Sequence, residues 1–178
     1  MFIFTKIQDV KGQVFAEIYA IYLQSFPVCE RRSLASIEKI INSSSRFEIS
    51  AIYKENMLVG FINYWKFDMF IYIEHFAIKA EFRNNNIGSV CLQTFLKRNN
   101  LPIILEVEIE NSDIAKRRIR FYERLGFVLH LNEYQQPPYD GISQKIPMHI
   151  MSNNFDFVDE RFYLIKNKLY NEVYDYCN

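Results

Sequence analysis

Glycine is scarce in this chain. Only 5 of its 178 residues are glycine, whereas average usage of about 7% would give about a dozen. A chain with so few glycines is expected to place them where the backbone conformation requires one. Cysteine and histidine are scarce as well, with three of each, and the cysteines are too scattered for a disulfide framework or a zinc site. We therefore expect a protein whose cysteines are reduced and which holds no metal.

An excess of one charge and long apolar runs are also missing. The 21 basic and 21 acidic residues cancel, so no global field would draw the chain to nucleic acid or to an anionic membrane. A membrane-spanning helix needs roughly 18 apolar residues in succession, and the most apolar run, Phe70–Ala80, already contains Glu74 and His75. The first residues lack the basic and apolar segments of a signal peptide. We expect a cytoplasmic protein with no nucleic-acid or membrane partner.

The chain does contain enough apolar material for one globular domain. Hydrophobic residues make up 49% of it and aromatic residues 16%, which excludes a disordered chain. Alternation of apolar and polar residues predicts strands, and apolar residues at helical spacing predict helices. The predicted strands are 2–7, 46–53, 58–67, 70–79, 102–109, 127–131 and 147–151, and the predicted helices are 13–26, 34–41, 87–97, 114–125 and one from residue 155 to the C-terminus. This tail carries a stripe of apolar and aromatic residues at positions 158, 162, 165, 169, 173 and 176, which predicts a helix docked by its aromatic face. We expect an α+β domain in which a meander leads into a βαβα unit.

The segment between the strand 70–79 and the helix 87–97 has the features of an anion site. The N–H groups and the dipole at the start of a helix attract a phosphate without a charged side chain. Gly88 would let a ligand approach the backbone, Asn86 tolerates a positive φ nearly as well as glycine, and Arg83 adds a positive charge. The same residues also fit an ordinary strand-to-helix turn with a solvated arginine, and spacing alone does not choose between these readings.

Two segments of the chain resemble motifs of one protein family. Arg83-x-x-Asn86-x-Gly88-Ser89 resembles the pyrophosphate loop of the GNAT superfamily of acetyl-CoA-dependent N-acetyltransferases, with Asn86 in place of the family's first glycine. The segment 118–127 is similar to the family's Tyr-Glu-x-x-Gly-Phe motif, and its Gly126 sits where a left-handed residue ends a helix. The resemblance covers about residues 2–150, with 151–178 as a C-terminal helical extension packed on the same domain. It implies a GNAT-like mixed central sheet of about six to seven strands flanked by helices.

The resemblance also implies where acetyl-CoA would bind. In the family, the pantetheine arm takes hydrogen bonds from the backbone of the strand before the loop, here near Phe76 and Ile78, and the pyrophosphate lies on the amides of the loop. No metal takes part. The implied cofactor-binding residues are Phe76, Ala77, Ile78, Arg83, Asn84, Asn85, Asn86, Ile87, Gly88, Ser89, Arg118 and Phe121.

Tyr122 is the candidate acid for such a reaction. A departing thiolate needs a proton, and a phenol with a pKa near 10 can donate one while it stays uncharged at rest. Tyr122 lies on the apolar stripe of the helix 114–125, at the position of the family's catalytic tyrosine. The alternative is a core tyrosine that bonds a carbonyl, which is common in a chain with 12 tyrosines.

Two carboxylates are candidates for the base. An alkyl ammonium with a pKa near that of Lys, ~10.4, must lose a proton before it can attack. The strand 102–109 alternates, so that Glu106, Glu108 and Glu110 share one face, and Leu105-Glu106-Val107 resembles a family segment whose Glu can act as base. Glu74 is the rival, because burial in an apolar strand would raise its pKa. His75, on the opposite face of that strand, is expected to be a satisfied core histidine.

Two further segments are candidates for the acceptor site. Phe26, Glu30 and Arg31 lie between the first two predicted helices, where family members contact acceptors, and Tyr134 and Tyr139 flank a stiff aromatic loop suited to a pocket wall. Both segments could equally be structural connections. The function predicted from the sequence is transfer of the acetyl group of acetyl-CoA to a primary amine of a small-molecule or peptide acceptor, by a monomer or homodimer. A non-catalytic acyl-CoA-binding or regulatory module is the alternative, and an interaction protein whose turn binds nothing is a third reading.

Overall fold

The computed structural model describes residues 1–141 and 143–176. Seven strands form one sheet in the order β1-β2-β3-β4-β5-β7-β6, which confirms the predicted α+β class and strand number. The strands are β1 (Phe2–Lys6), β2 (Phe47–Lys54), β3 (Met57–Lys66), β4 (Ile71–Ile78), β5 (Ile103–Glu108), β6 (Val128–Gln136) and β7 (Ile146–Ser152). The α-helices are α1 (Gln13–Ser25), α2 (Leu34–Ser43), α3 (Ile87–Lys97), α4 (Asp113–Glu123) and α5 (Phe155–Lys168).

The fold divides into two compact units. The first unit comprises Met1–Asp68 and Tyr72–Asn100, and the second comprises Met69–Ile71 with the chain from Leu101 onwards. Among the described residues, no helix is long and apolar enough to cross a membrane. The described residues also contain no group of three or more His, Cys, Asp or Glu side chains that could hold a metal ion.

The first unit is built on an antiparallel meander. β1 pairs with β2 and β2 with β3, and the β2–β3 turn places Glu55 and Asn56 at positive φ, as tight hairpin turns require. Gly60 on β3 is needed for close packing, because a Cβ there would lie 2.3 Å from the carbonyl oxygen of Ala77. β4 is buried along most of its length, as its nearly continuous apolar sequence predicts.

The second unit pairs β5, β7 and β6 in antiparallel fashion. Helix α4 begins at an N-cap, Ser112, whose side chain accepts a hydrogen bond from the Ala115 N–H at 3.1 Å. It ends before Gly126, whose φ of +87° confirms the predicted left-handed residue. The Phe127 N–H then donates to the Tyr122 carbonyl at 3.1 Å, so the end of α4 is fixed at the tyrosine of the family motif.

The strand β6 is longer than the sequence predicts. We expected a strand over 127–131 and a loop from Tyr134, but the strand continues, with Tyr134 opposite Met148 and Gln136 opposite Ile146. The prediction ended too early because an irregularity in register between His130 and Tyr134 interrupts the alternation of apolar and polar residues. Tyr134 and Gln136 therefore lie on a strand, where both are buried.

The predicted C-terminal helix begins as expected and changes its winding near its end. Helix α5 passes into a π-helical turn, Leu169–Val173, in which Leu169, Tyr170 and Val173 are buried. The apolar stripe predicted for the tail is thus the buried face of this segment. Its aromatic side chains reach β6, since the Tyr170 hydroxyl donates to the Gln135 carbonyl at 2.5 Å.

Candidate active site

The turn between β4 and α3 contains two left-handed asparagines just before the N-terminus of a helix. A short 3₁₀ turn, Ala80–Phe82, follows β4, and Asn84 and Asn86 then take left-handed φ values of 65° and 58°, which asparagine tolerates better than other non-glycine residues. The Asn86 carbonyl accepts the first helical bond of α3, from the Val90 N–H at 3.1 Å. Within the described part of the chain, its side chain makes no capping bond, so no N-cap side chain competes for the first N–H groups of α3.

Arg83 stands at this turn and is held from two sides. Its Nε–H donates to the Ile78 carbonyl at 2.8 Å, and its Nη2 donates to the Ser25 hydroxyl at 3.1 Å. The residue nevertheless remains exposed, as do Asn84, Asn85 and Asn86, while Gly88 and Ser89 are half-buried and Ile87 is buried. The residues 83–86 of the predicted loop are therefore accessible, and the Arg83 charge is fixed to the end of β4.

An open groove of about 220 Å³ lies beside Arg83, between α1 and the turn after β4. Its charged lining is balanced, with Lys79 and Arg83 against Glu17 and Glu81. Lys79 and Glu17 pair across it at 3.2 Å. The groove therefore has no excess of either charge when the Arg83 guanidinium is counted.

Glu74 on β4 is a buried anion. Its Oε1 accepts the Arg32 Nε–H at 2.7 Å and its Oε2 accepts the Trp65 Nε1–H at 2.8 Å. Burial alone would raise the pKa of Glu74, but the Arg32 charge and these hydrogen bonds together hold it below its ordinary value. The expectation of a raised pKa at Glu74 is thus not met, because the sequence pattern does not reveal that Arg32, between the first two predicted helices, pairs with it.

His75 fastens the segment between α1 and α2 to β4. Its Nε2–H donates to the Glu30 carbonyl at 2.8 Å and its Nδ1 accepts from the Asn63 side chain at 3.3 Å. A carbonyl only accepts, so this pattern defines the neutral tautomer, and burial lowers the pKa of His75 accordingly. The Phe26 ring lies edge-on to the imidazole at 4.5 Å, and Arg31 donates to the Leu23 carbonyl at 3.0 Å. The prediction of a satisfied core histidine is confirmed, and three candidate acceptor residues lie in the segment it anchors.

In the second unit, Tyr122 is half-buried on α4. Its ring makes edge contacts with Phe121 at 5.1 Å and Phe127 at 5.7 Å. Burial raises the pKa of Tyr122, against a smaller opposing effect of Arg118, so the phenol keeps its proton at neutral pH. Arg118 itself donates to Glu108 at 2.6 Å. Among the described residues, nothing forms a hydrogen bond with the Tyr122 hydroxyl.

Glu106 on β5 receives hydrogen bonds from two tyrosines. The Tyr134 hydroxyl donates to Oε1, and the Tyr174 hydroxyl donates to Oε2 at 2.7 Å. Gln136 donates in turn to the Tyr174 oxygen at 2.9 Å and to the Tyr139 oxygen at 3.4 Å. The structure thus brings Glu106, Tyr134 and Tyr139 together, as candidate residues of one site would be. The sequence pattern does not single out Gln136 or Tyr174 as site residues. Tyr174 lies in the predicted C-terminal helix, whose pattern indicates packing only.

Comparison with known proteins identifies the family. Residues 15–127 match the family described as "Acetyltransferase (GNAT) family". A solved structure from Bacteroides thetaiotaomicron, described as a GNAT-family acetyltransferase, is 35% identical, with a TM-score of 0.91 over 97% of this chain and 98% of that one. A GNAT acetyltransferase from Elizabethkingia anophelis with acetyl-CoA bound is 15% identical, with a TM-score of 0.57 over 85% of this chain and 96% of that one. This last likeness concerns the fold alone.

A curated relative adds a sequence match. A Bacillus subtilis (strain 168) protein described as an acetyltransferase, YjbC, is 30% identical over 104 residues, which is 57% of this chain. The match spans about half of that relative, 52% of its length. The chain belongs to the GNAT acetyltransferase family, and the resemblance stated from its motifs is confirmed.

Proposed function

We propose that this protein is an N-acetyltransferase that moves the acetyl group of acetyl-CoA to a primary amine of a small-molecule or peptide acceptor. The observation that carries the proposal is the turn before α3, where Asn86 is left-handed, the helix N-terminus has no side-chain cap within the described residues, and Arg83 is fixed but exposed. Each of these features favours a phosphate ligand.

The residues at this turn fit coenzyme A. The first amides of α3, from Ile87 to Ser89, would hold the pyrophosphate, and the backbone of Phe76–Ile78 would bond the pantetheine arm. The Arg83 guanidinium would neutralise one phosphate charge. Asn84 and Asn85, being exposed, would take part through their backbone amides. Arg118 and Phe121 remain proposed cofactor contacts on α4.

Acetyl-CoA supplies the acetyl thioester, whose carbonyl carbon the amine nitrogen attacks with loss of the thiolate. We assign the base to Glu106, whose carboxylate accepts hydrogen bonds from two neutral tyrosine hydroxyls, whereas Glu74 accepts from a buried cation. Glu106 takes the proton that the amine nitrogen loses. Tyr122 is the proposed acid and would donate its phenolic proton to the departing thiolate, since burial raises its pKa and keeps the phenol protonated at rest.

Glu74 is assigned a positioning role rather than the base. Its carboxylate is fully buried and already paired with Arg32, so a proton placed on it would leave the guanidinium without its counter-charge. Phe26, Glu30 and Arg31, in the segment that His75 and the Leu23 carbonyl anchor, remain proposed acceptor residues of the first unit. Tyr134 and Tyr139 remain proposed acceptor residues of the second unit.

An acetylation screen over small amines, peptides and aminoglycosides, read by mass spectrometry, tests the proposal. Wild-type protein should add acetyl to at least one primary amine, and Tyr122→Phe should slow that transfer by a factor of about 100 or more while binding coenzyme A as before. Tyr163→Phe, at an exposed tyrosine of α5, is the control. Coenzyme A binding without transfer to any amine would favour the non-catalytic module instead.

A further inference from the structure

Arg83 is fixed in place by neutral groups. Its two hydrogen bonds, from Nε–H at 2.8 Å and from Nη2 at 3.1 Å, go to the Ile78 carbonyl and to the Ser25 hydroxyl. Among the described residues, no carboxylate forms an ion pair with it. Arg32 differs, because its guanidinium is paired with the Glu74 carboxylate. The charge of Arg83 is therefore held still without being neutralised by an ion pair.

The Arg83 guanidinium also keeps most of its hydrogen-bond donors. A guanidinium has five N–H groups in a fixed planar arrangement, and the two bonds use the one on Nε and one of the two on Nη2. Both N–H groups of Nη1 and the second one of Nη2 have no partner among the residues that the structure describes. Because the side chain is exposed, a ligand can reach it. Paired guanidinium N–H groups bind a phosphate at two points.

The groove beside Arg83 does not attract an anion by its net charge. Lys79 and Glu17 pair with each other at 3.2 Å. Glu81, the remaining acid of the lining, forms no ion pair within the described part of the chain, and its charge offsets that of Arg83. Since the lining is neutral as a whole, binding of a phosphate here depends on where the guanidinium is held.

Ser25 supplies the side-chain part of this anchoring. It is the last residue of α1 and is half-buried, and it lies 58 positions before Arg83 in the sequence. Both residues and Ile78 belong to the first compact unit. The Ile78 bond goes to a backbone carbonyl, which any residue at that position would provide. Of the two anchors, therefore, only the Ser25 hydroxyl can be removed by substitution.

We propose that Ser25 is a positioning residue for the cofactor, whose hydroxyl holds the Arg83 guanidinium so that the unused donors of Nη1 and Nη2 bind a phosphate group of coenzyme A. This inference rests on the proposed function. A long arginine side chain loses rotamer freedom when a ligand orders it, and one that is already held by two bonds loses less. Ser25 thus acts through Arg83 and strengthens binding by ordering it in advance. The pyrophosphate and the 3′-phosphate share this chemistry, and the test separates them.

Calorimetry with the full chain tests this inference without any acceptor. The titrants are coenzyme A and dephospho-coenzyme A, which keeps the pyrophosphate but lacks the 3′-phosphate. The variants are Ser25→Ala, which removes the hydroxyl, Ser25→Thr, which keeps one, and Arg83→Met, made alone and together with Ser25→Ala. Thermal unfolding checks that each variant folds.

Two matched controls separate positioning of Arg83 from a general loosening of the first unit. Glu17→Gln breaks another contact of α1 with the groove lining, the ion pair with Lys79. Ser36→Ala removes a half-buried helical hydroxyl elsewhere in the same unit. Neither substitution should weaken coenzyme A binding.

We expect Ser25→Ala to weaken coenzyme A binding about fivefold and Arg83→Met to weaken it about 30-fold, since bonds to a charged group are the stronger ones. Ser25→Thr should bind within about twofold of wild type. With Arg83→Met already present, Ser25→Ala should cost less than about twofold more. A loss at Ser25→Ala that dephospho-coenzyme A shares assigns the bound group to the pyrophosphate, and a loss confined to coenzyme A assigns it to the 3′-phosphate. Either pattern supports the inference.

Three results would overturn the inference while the wild-type protein still binds coenzyme A. One is wild-type affinity in a folded Ser25→Ala variant. Another is an undiminished effect of Ser25→Ala in the Arg83→Met background, which would mean that the serine does not act through the arginine. The third is an equal loss in Glu17→Gln or Ser36→Ala. Failure of the wild-type protein to bind coenzyme A would instead overturn the proposed function, and this inference with it.

Discussion

Arg32 and Glu74 form a buried ion pair across 42 positions of sequence. The Arg32 Nε–H lies 2.7 Å from Glu74 Oε1, and the two side chains are 5% and 0% exposed. The guanidinium also lies over the Trp65 ring, 5.9 Å from its centroid. Because Arg32 directly precedes the N-cap of α2, this pair ties the start of that helix to β4.

Breaking this pair should destabilise the protein strongly. Glu74→Gln keeps an acceptor for Trp65 but leaves the buried Arg32 charge without a counter-ion, which typically reduces the free energy of unfolding by about 3–5 kcal/mol. Urea unfolding at pH 7 measures the loss. Glu17→Gln, which breaks the more exposed pair with Lys79, should change stability by less than about 1 kcal/mol. Equal effects of the two substitutions would contradict the assigned role of Glu74.

The same pair predicts a pH dependence of stability. Because the pKa of Glu74 is lower in the folded chain than its ordinary value of 4.5, the unfolded chain binds the proton first as the pH falls. The stabilisation is therefore fully present above about pH 4.5 and is lost progressively below it. The stability difference between wild type and Glu74→Gln should narrow between pH 5 and pH 3. A difference that stays constant, or grows, over that range would mean that Glu74 is not held as an anion.

Activity separates the two carboxylates proposed from the sequence. Glu106→Gln should lower kcat by about 10²–10⁴ with coenzyme A affinity unchanged, since a general base contributes about that much. Glu110→Gln, at an exposed residue just beyond the same strand, is the control and should leave the rate unchanged. Glu74→Gln, assayed where it remains folded, should retain more than a tenth of the activity. A larger loss at Glu74 than at Glu106 would reverse the assignment of the base.

Gly60→Ala tests the packing of β3 against β4. A Cβ at Gly60 would lie 2.3 Å from the Ala77 carbonyl oxygen, so one strand must move, at about 1–3 kcal/mol. The shift would also disturb the backbone of Phe76–Ile78, and coenzyme A should bind more weakly. Gly12→Ala, where nothing lies within 4 Å of the added atom, should change stability by less than about 1 kcal/mol. Equal stability of the two variants would show that the strands tolerate the added atom.

Local signals predicted the helices, the strands and the left-handed residue before α3. The end of α4 could be read from Gly126 and Phe127, and the positive φ before α3 from Asn86, because capping and positive φ depend on residues adjacent in sequence. The class of fold followed from periodicity, and the family from two motifs in the right order.

The partners of the two glutamates could not be predicted in this way. Arg32 lies 42 residues from Glu74, and Tyr174 lies 68 residues from Glu106, so only the folded chain brings them together. An aromatic stripe in the tail predicts a buried helix face but not which hydroxyl meets a carboxylate. The length of β6 was missed for a related reason, since the irregularity after His130 hides the alternation that defines a strand.

Binding of coenzyme A at the turn before α3 is the central claim, and calorimetry tests it most directly. Wild-type protein should bind coenzyme A saturably with one site. Asn86→Val should weaken binding about tenfold, because a β-branched residue is disfavoured by about 1–2 kcal/mol at the left-handed φ of 58°. Lys97→Ala, at the far end of α3, should bind as wild type does. No binding by the wild-type protein, or equal binding by Asn86→Val, would contradict the account.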